Sequence, residues 1–350
     1  MEQTKGIGQL LWNLREKEGV RQTQLCKGLC SHAKYVRIEY DQQEMDFFLI
    51  DRLMGRLGKS VERLTYVLPI EVYEMYELRQ EIQQNICLGK WEEAEQCLEE
   101  YQKNRKAEEP LHQQFIEQEY AQIAWLRGES AETVCEHLEK AIAQTMPEAE
   151  TQRKTGILSV EEYKLLLFRW EVCFGTERER GEKELQELTE EIFQKNFERT
   201  ERVKVIPYAA LLKAKTSQDG KQDTYLKMIT ETALENLREE GKLLYMPEIL
   251  KQYAKILEKE NGDAEFIQLL RQERASILEL ESDHGVSFEN YRLFDHVVRN
   301  FEIDAELIRR TRTAAKLTQE KLSEDICAQE TLARIENGDR KSTRLNSSHE

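Results

Sequence analysis

The chain of 350 residues carries a net charge of −16, with 34% charged residues but only five prolines and sixteen glycines. That composition describes a helical protein with short connections, long enough for two or three domains. It contains no run of 18 apolar residues, which argues against a membrane span, and no apolar leader ending in small residues. The seven cysteines are odd in number and lack a CxxC pair, so they are expected to be reduced thiols rather than disulfides or zinc ligands.

The acidity is unevenly placed. Residues 1–64 hold eleven Lys and Arg against nine Asp and Glu, 305–338 hold six of each, and 339–350 hold three against two. The segment 65–304 therefore carries −19. A local basic face is enough for contact with a polyanion, because salt screens distant charges beyond roughly 8 Å.

In chain order, Leu10, Leu11 and Leu14 set the spacing of a first helix that Gly19 ends. A second helix, about Gln22 to Leu29, carries Leu25 and Leu29, and Ser31 is placed to cap a third over His32 to Tyr40. Helices near 46–57 and 60–68 then close a five-helix module over 1–68 with Phe47, Leu49, Ile50, Leu53, Leu57 and Leu64. Two short helices joined by a tight turn, the second exposing polar and basic side chains, suit entry into a DNA major groove.

The stretch Arg15, Gln22, Leu25 and Arg37-Ile38-Glu39 resembles the repressor-like (XRE/Cro) helix-turn-helix family. The resemblance implies that Gln22 binds a DNA phosphate, that Arg15 pairs with Glu39, and that Ser31, His32, Ala33, Lys34 and Arg37 face DNA. The chain departs from the family at Arg21, where Thr is preferred, and at Tyr40-Asp41, where Asn-Gly is preferred.

Residues 69–303 show helical periodicity broken by prolines at 69, 110, 147, 207 and 247, a spacing that repeated helical hairpins leave behind. Leu88-Gly89-Lys90-Trp91 and Ala124-Trp125-Leu126-Arg127-Gly128 resemble tetratricopeptide (TPR) repeats, and further hairpins are expected near 159–196, 203–239, 246–282 and 287–300. Such repeats stack into a solenoid that binds an extended peptide or a protein partner. Tyr208, Asn196 and Asn236 are candidates to hold a peptide backbone there. The Glu-rich runs read first as solvated faces, with an acidic groove selecting a basic peptide as the alternative.

Residues 304–338 repeat the N-terminal module at an offset of 297. Leu307, Arg312, Gln319, Leu322, Cys327, Arg334, Ile335 and Glu336 match Leu10, Arg15, Gln22, Leu25, Cys30, Arg37, Ile38 and Glu39. This copy resembles the family more closely. The resemblance implies that Thr318 caps the helix opened by a phosphate-binding Gln319, that Gln329, Glu330 and Thr331 face bases with Arg334 nearby, and that Arg312 pairs with Glu336. It reads as a truncated, partial second module. Residues 339–350 lack apolar periodicity and resemble one reading frame of a widely used sequencing adapter, so they are set apart from the fold.

No HExxH, Walker loop, GxSxG or GxGxxG occurs, and neither enzymatic activity nor a cofactor or metal is expected. The sequence reads as an all-α protein resembling the Rgg/PlcR-type peptide-responsive transcription regulators. That resemblance implies quorum sensing in the cytoplasm, a homodimer, double-stranded DNA and a short signalling peptide or protein ligand as partners, and no membrane. The alternative is a TPR-like scaffold whose helix-turn-helix units are structural.

Overall fold

The computed structural model describes residues 6–43, 46–155, 157–174, 178–216, 224–285, 287–294 and 299–338. The protein is helical almost throughout, in two compact units: residues 1–61 with 81–296, and residues 62–80 with 297–350. The segment 339–350 lies outside the described residues.

The first unit opens with α1 (Ile7–Lys17), α2 (Gln22–Leu25), α3 (His32–Glu39) and α4 (Phe47–Arg56). Ser31 caps α3 by accepting from the Lys34 N–H, and Asp46 caps α4 by accepting from the Phe48 N–H. Leu11, Leu25, Tyr35 and Leu53 are wholly inaccessible and form the small core with Ile38 and Phe47.

Hairpins follow: α5 (Ile70–Cys87) and α6 (Trp91–Gln102), α7 (Pro110–Leu126) and α8 (Ala131–Thr145), then the short α9 (Ala149–Lys154). Next come α10 (Val160–Cys173) and α11 (Arg178–Gln194), α12 (Arg199–Thr216) and α13 (Thr224–Glu239), α14 (Met246–Lys259) and α15 (Ala264–Asp283). Gly89 and Gly128 make the turns of the first two hairpins at positive φ, +71° and +73°. Each is a position where a side chain is strained and glycine is not. One continuous apolar core runs from Ala121 in α7 to Leu293, so the hairpins from α7 onward bury faces that they could not cover alone.

The second unit pairs β1 (Thr65–Leu68) with β2 (Asn300–Ile303) in parallel, Tyr66 opposite Phe301. Phe301 packs among Tyr66, Tyr73 and Tyr76. Then come α16 (Asp304–Ala314), α17 (Gln319–Ser323) and α18 (Gln329–Glu336).

Three expectations are corrected. The helix expected near 60–68 is a turn followed by β1. Thr65-Tyr66-Val67 favours extended backbone, Leu68 precedes Pro69, and the partner strand lies over 230 residues away in sequence. The hairpin expected near 287–300 is a short 3₁₀ turn, Phe288–Tyr291, and the start of β2; the residues between, 295–298, lie outside the described ones. Finally, Cys135 of α8 and Cys173 of α10 are joined by a disulfide. Their separation of 38 residues carries no spacing signal; adjacent hairpins bring the Cα atoms to 6.3 Å.

Candidate nucleic-acid interface

Arg15 projects from α1 and Glu39 ends α3. Their side chains meet with Arg15 Nε donating to Glu39 Oε1 at 2.5 Å and Nη2 to Oε2 at 3.1 Å. Arg15 Nη1 donates to the Val20 carbonyl, fixing the turn into α2. Glu39 also accepts from Tyr35 Oη at 2.5 Å and Gln22 Nε2 at 2.6 Å. Burial works to raise the Glu39 pKa, but the bonds from Arg15, Tyr35 and Gln22 hold it below the ordinary carboxylate range. One ionised carboxylate thereby ties the three helices together.

The outer edge of this arrangement is open. Ser31, His32, Ala33 and Arg37 are exposed and Lys34 is half-buried. Gln22 lies between core and surface, its Oε1 3.1 Å from His32 Nε2. The Ser31 hydroxyl is spent on capping α3.

The same network recurs in the second unit at the same offset. Arg312 Nε donates to Glu336 Oε1 at 2.6 Å, Nη2 to Oε2 at 2.9 Å, and Nη1 to the Leu317 carbonyl at 2.8 Å. Gln319 Nε2 donates to Glu336 Oε2 at 2.8 Å, and Thr318 caps α17 through the Lys321 N–H. The bonds from Arg312 lower the Glu336 pKa. Gln329 and Arg334 are exposed and Thr331 is half-buried. Even the left-handed positions correspond: Gly19, Gly28 and Asp41 match Lys316, Asp325 and Gly338, all at positive φ. The copies differ in cover: Leu25 and Leu29 are buried, whereas Leu322 is half-buried and Ile326 is 71% exposed.

The proposed peptide-holding residues are not gathered into one place. Asn236 is buried and donates to the Thr232 carbonyl of its own helix. Asn196 is exposed, and its carbonyl abuts Gly58 of the N-terminal module. Tyr208 is buried, donates to Glu171 at 2.7 Å and stacks on Tyr245.

Sequence reasoning missed the junction of module and repeats. Arg56, at the end of α4, is 1% exposed, yet all five of its N–H groups are accepted. Nε and Nη2 hold Glu162 of α10 at 3.0 and 2.6 Å, Nη1 reaches the carbonyls of Leu25 and Lys27, and Nη2 also reaches that of Thr145. Glu162 completes its shell with Thr145 Oγ1 and the Ser159 N–H. Burial pushes the Glu162 pKa up, but Arg56 and Arg52 outweigh it and bring it down to about 2. Nearby, Lys195 donates to the carbonyls of Arg56 and Leu158. Nothing in the local pattern around Arg56 points to Glu162, 106 residues away.

Among the described residues, no group of three or more His, Cys, Asp or Glu is placed to hold a metal ion, and no helix is long and apolar enough to cross a membrane. The fold defines a class: a helix-turn-helix unit packed on a stack of helical hairpins, with a second such unit after it. No protein-family model and no curated protein sequence matches the chain. It is similar to the crystal structure of Bacillus thuringiensis PlcR in complex with the peptide PapR7 and DNA. The likeness has a TM-score of 0.43 and 14% identity, and covers 83% of this chain and 99% of that one.

Proposed function

We propose that the protein is a DNA-binding transcription regulator controlled by a peptide or protein ligand held in its helical repeats. The observation that supports this reading is the duplicated network of Arg15, Gln22 and Glu39 and of Arg312, Gln319 and Glu336. In both copies it steadies a short helix whose N-terminal face stays open.

An amide nitrogen carries two hydrogens, so Gln22 can bond Glu39 and still offer one to a phosphate. His32, Lys34 and Arg37 would meet base edges and backbone in the first copy, as would Gln329, Thr331 and Arg334 in the second, where glutamine suits adenine. Acting in the cytoplasm as a homodimer, the protein would set two recognition helices about 34 Å apart, one turn of DNA. No step in this reading calls on catalysis.

The test is selection of bound genomic fragments by the full chain, then fluorescence titration of the best fragment. Affinity should fall steeply with salt, and Gln22→Ala with Arg37→Ala should weaken it by at least tenfold. Unchanged affinity in the double variant removes the first copy as the DNA reader. Absence of binding to any fragment at low salt removes DNA binding altogether.

A further inference from the structure

The stretch 287–294 leaves the last hairpin and lies across the first helices of five successive hairpins. Gln122 of α7 donates to the Asn290 carbonyl at 2.6 Å, and Asn290 Nδ2 donates to the Cys87 carbonyl of α5 at 3.0 Å. Tyr245, at the N-terminal cap of α14, donates to the Arg292 carbonyl, and Lys164 of α10 to that of Phe294 at 3.2 Å. Side-chain amides and hydroxyls reading the carbonyls of an irregular segment are the contacts by which a helical-repeat surface would hold a peptide.

The anchor is Arg292. Its guanidinium carbon lies 5.6 Å from the ring centre of Trp125, 5.1 Å from Phe168 and 5.8 Å from Tyr208, and Nη2 lies 3.4 Å from Glu171. Glu171 also accepts from Tyr208 and Lys215. Burial works to raise the Glu171 pKa, but Arg292 and Lys215 hold it below the ordinary carboxylate range. A flat cation enclosed by aromatic rings and a carboxylate suits arginine better than lysine. The seat is imperfectly filled: Arg292 is 6% exposed, yet among the described residues nothing accepts from its Nε or Nη1. Unmade buried hydrogen bonds weaken the hold of a segment on its site.

We propose that residues 287–294 are a built-in occupant of the ligand site, and that the effector replacing them is an extended peptide whose arginine takes the seat of Arg292. This rests on the reading of the protein as a ligand-controlled regulator and names the class of ligand. The occupant is tethered, so it competes at a high effective concentration and sets a threshold that a free peptide must exceed.

The probe is a fluorescent octapeptide with the sequence of residues 287–294, beside a control in which alanine replaces its arginine. The full-length Arg292→Ala chain should bind the arginine peptide at least tenfold more tightly than the parent does, and the control at least tenfold more weakly than the arginine peptide. Equal binding by parent and variant, or equal binding of the two peptides, overturns the proposal. Should Arg292→Ala not fold, hydrogen exchange on the parent decides. Saturating arginine peptide should speed exchange at the amides of 290–294 several-fold while the control does not, and unchanged rates overturn the proposal. If the peptide displaces the segment but leaves DNA affinity unaltered, the arginine seat stands and ligand control of DNA binding falls.

Discussion

Arg56 and Glu162 show how much one buried pair can carry when every donor and acceptor is used. Removing one partner leaves a charge without its counter-ion in a region closed to water, a loss of about 3–5 kcal/mol. Glu162→Gln should therefore lower unfolding free energy by about that amount in denaturant titration. The Arg56→Met/Glu162→Leu double variant should lose less than the two single losses combined. Acid gives a second measure. The folded pKa of Glu162 is pulled down to about 2, below its unfolded value. Its contribution to stability is thus fully present above the ordinary carboxylate pKa and is lost as pH falls through that value toward about 2. In Glu162→Gln the stability difference from the parent should shrink over that acid range; a constant difference would mean that the ion pair does not stabilise the fold.

At the scale of elements, the turns of the first module divide by what surrounds them. A Cβ at Gly19 meets nothing within 4 Å, so only its positive φ of +65° resists a side chain. Gly28 combines φ +77° with close approach, because its Cβ would fall 2.1 Å from the Thr145 carbonyl oxygen at the end of α8. Gly19→Ala should cost about 1–2 kcal/mol, the left-handed penalty of a side chain. Gly28→Ala should cost distinctly more, since backbone must move as well. Thermal denaturation of the two variants would show the order, and equal losses would mean that turn and repeats are not in contact in solution. The same turn in the second copy uses Asp325 at φ +62°, and Lys316 stands where the first copy has Gly19. Sequence identity at the offset of 297 did not reveal that these non-glycine residues keep the left-handed geometry.

At the scale of the molecule, two buried charges shape the response to pH. Burial raises Glu201 to about 7, more than the neighbouring Lys204 brings it down, while burial lowers Lys195 to about 7. A carboxyl with a raised folded pKa favours the fold below its unfolded value, and that contribution is lost as pH rises through about 7. An amine with a lowered folded pKa acts oppositely, and stability grows as pH rises from about 7 toward its ordinary range. The parent should thus lose stability relative to Glu201→Gln between about pH 4.5 and 7, and gain it relative to Lys195→Met above pH 7. Melting temperatures of the three chains across pH 4–10 would check this, and parallel curves would refute it.

What the sequence determined by itself was local: helix periods, caps such as Ser31 and Thr318, and glycine turns at 19, 89 and 128. It also held the duplication, because the residues that build each network lie within 25 positions of one another and recur at a fixed offset. What the tertiary structure decided were the pairings that close long loops. Strand β1 exists because residues 300–303 return beside it: the extended preference of Thr65-Tyr66-Val67 becomes a strand only where a partner is present. Arg56 finds Glu162, Cys135 finds Cys173, and Arg292 finds Glu171 and three rings, all through the stacking of hairpins. Such contacts obey complementarity of charge and shape across space and leave no period along the chain. For the same reason Tyr208 could be singled out along the chain, while the packing of Arg292 against its ring could not.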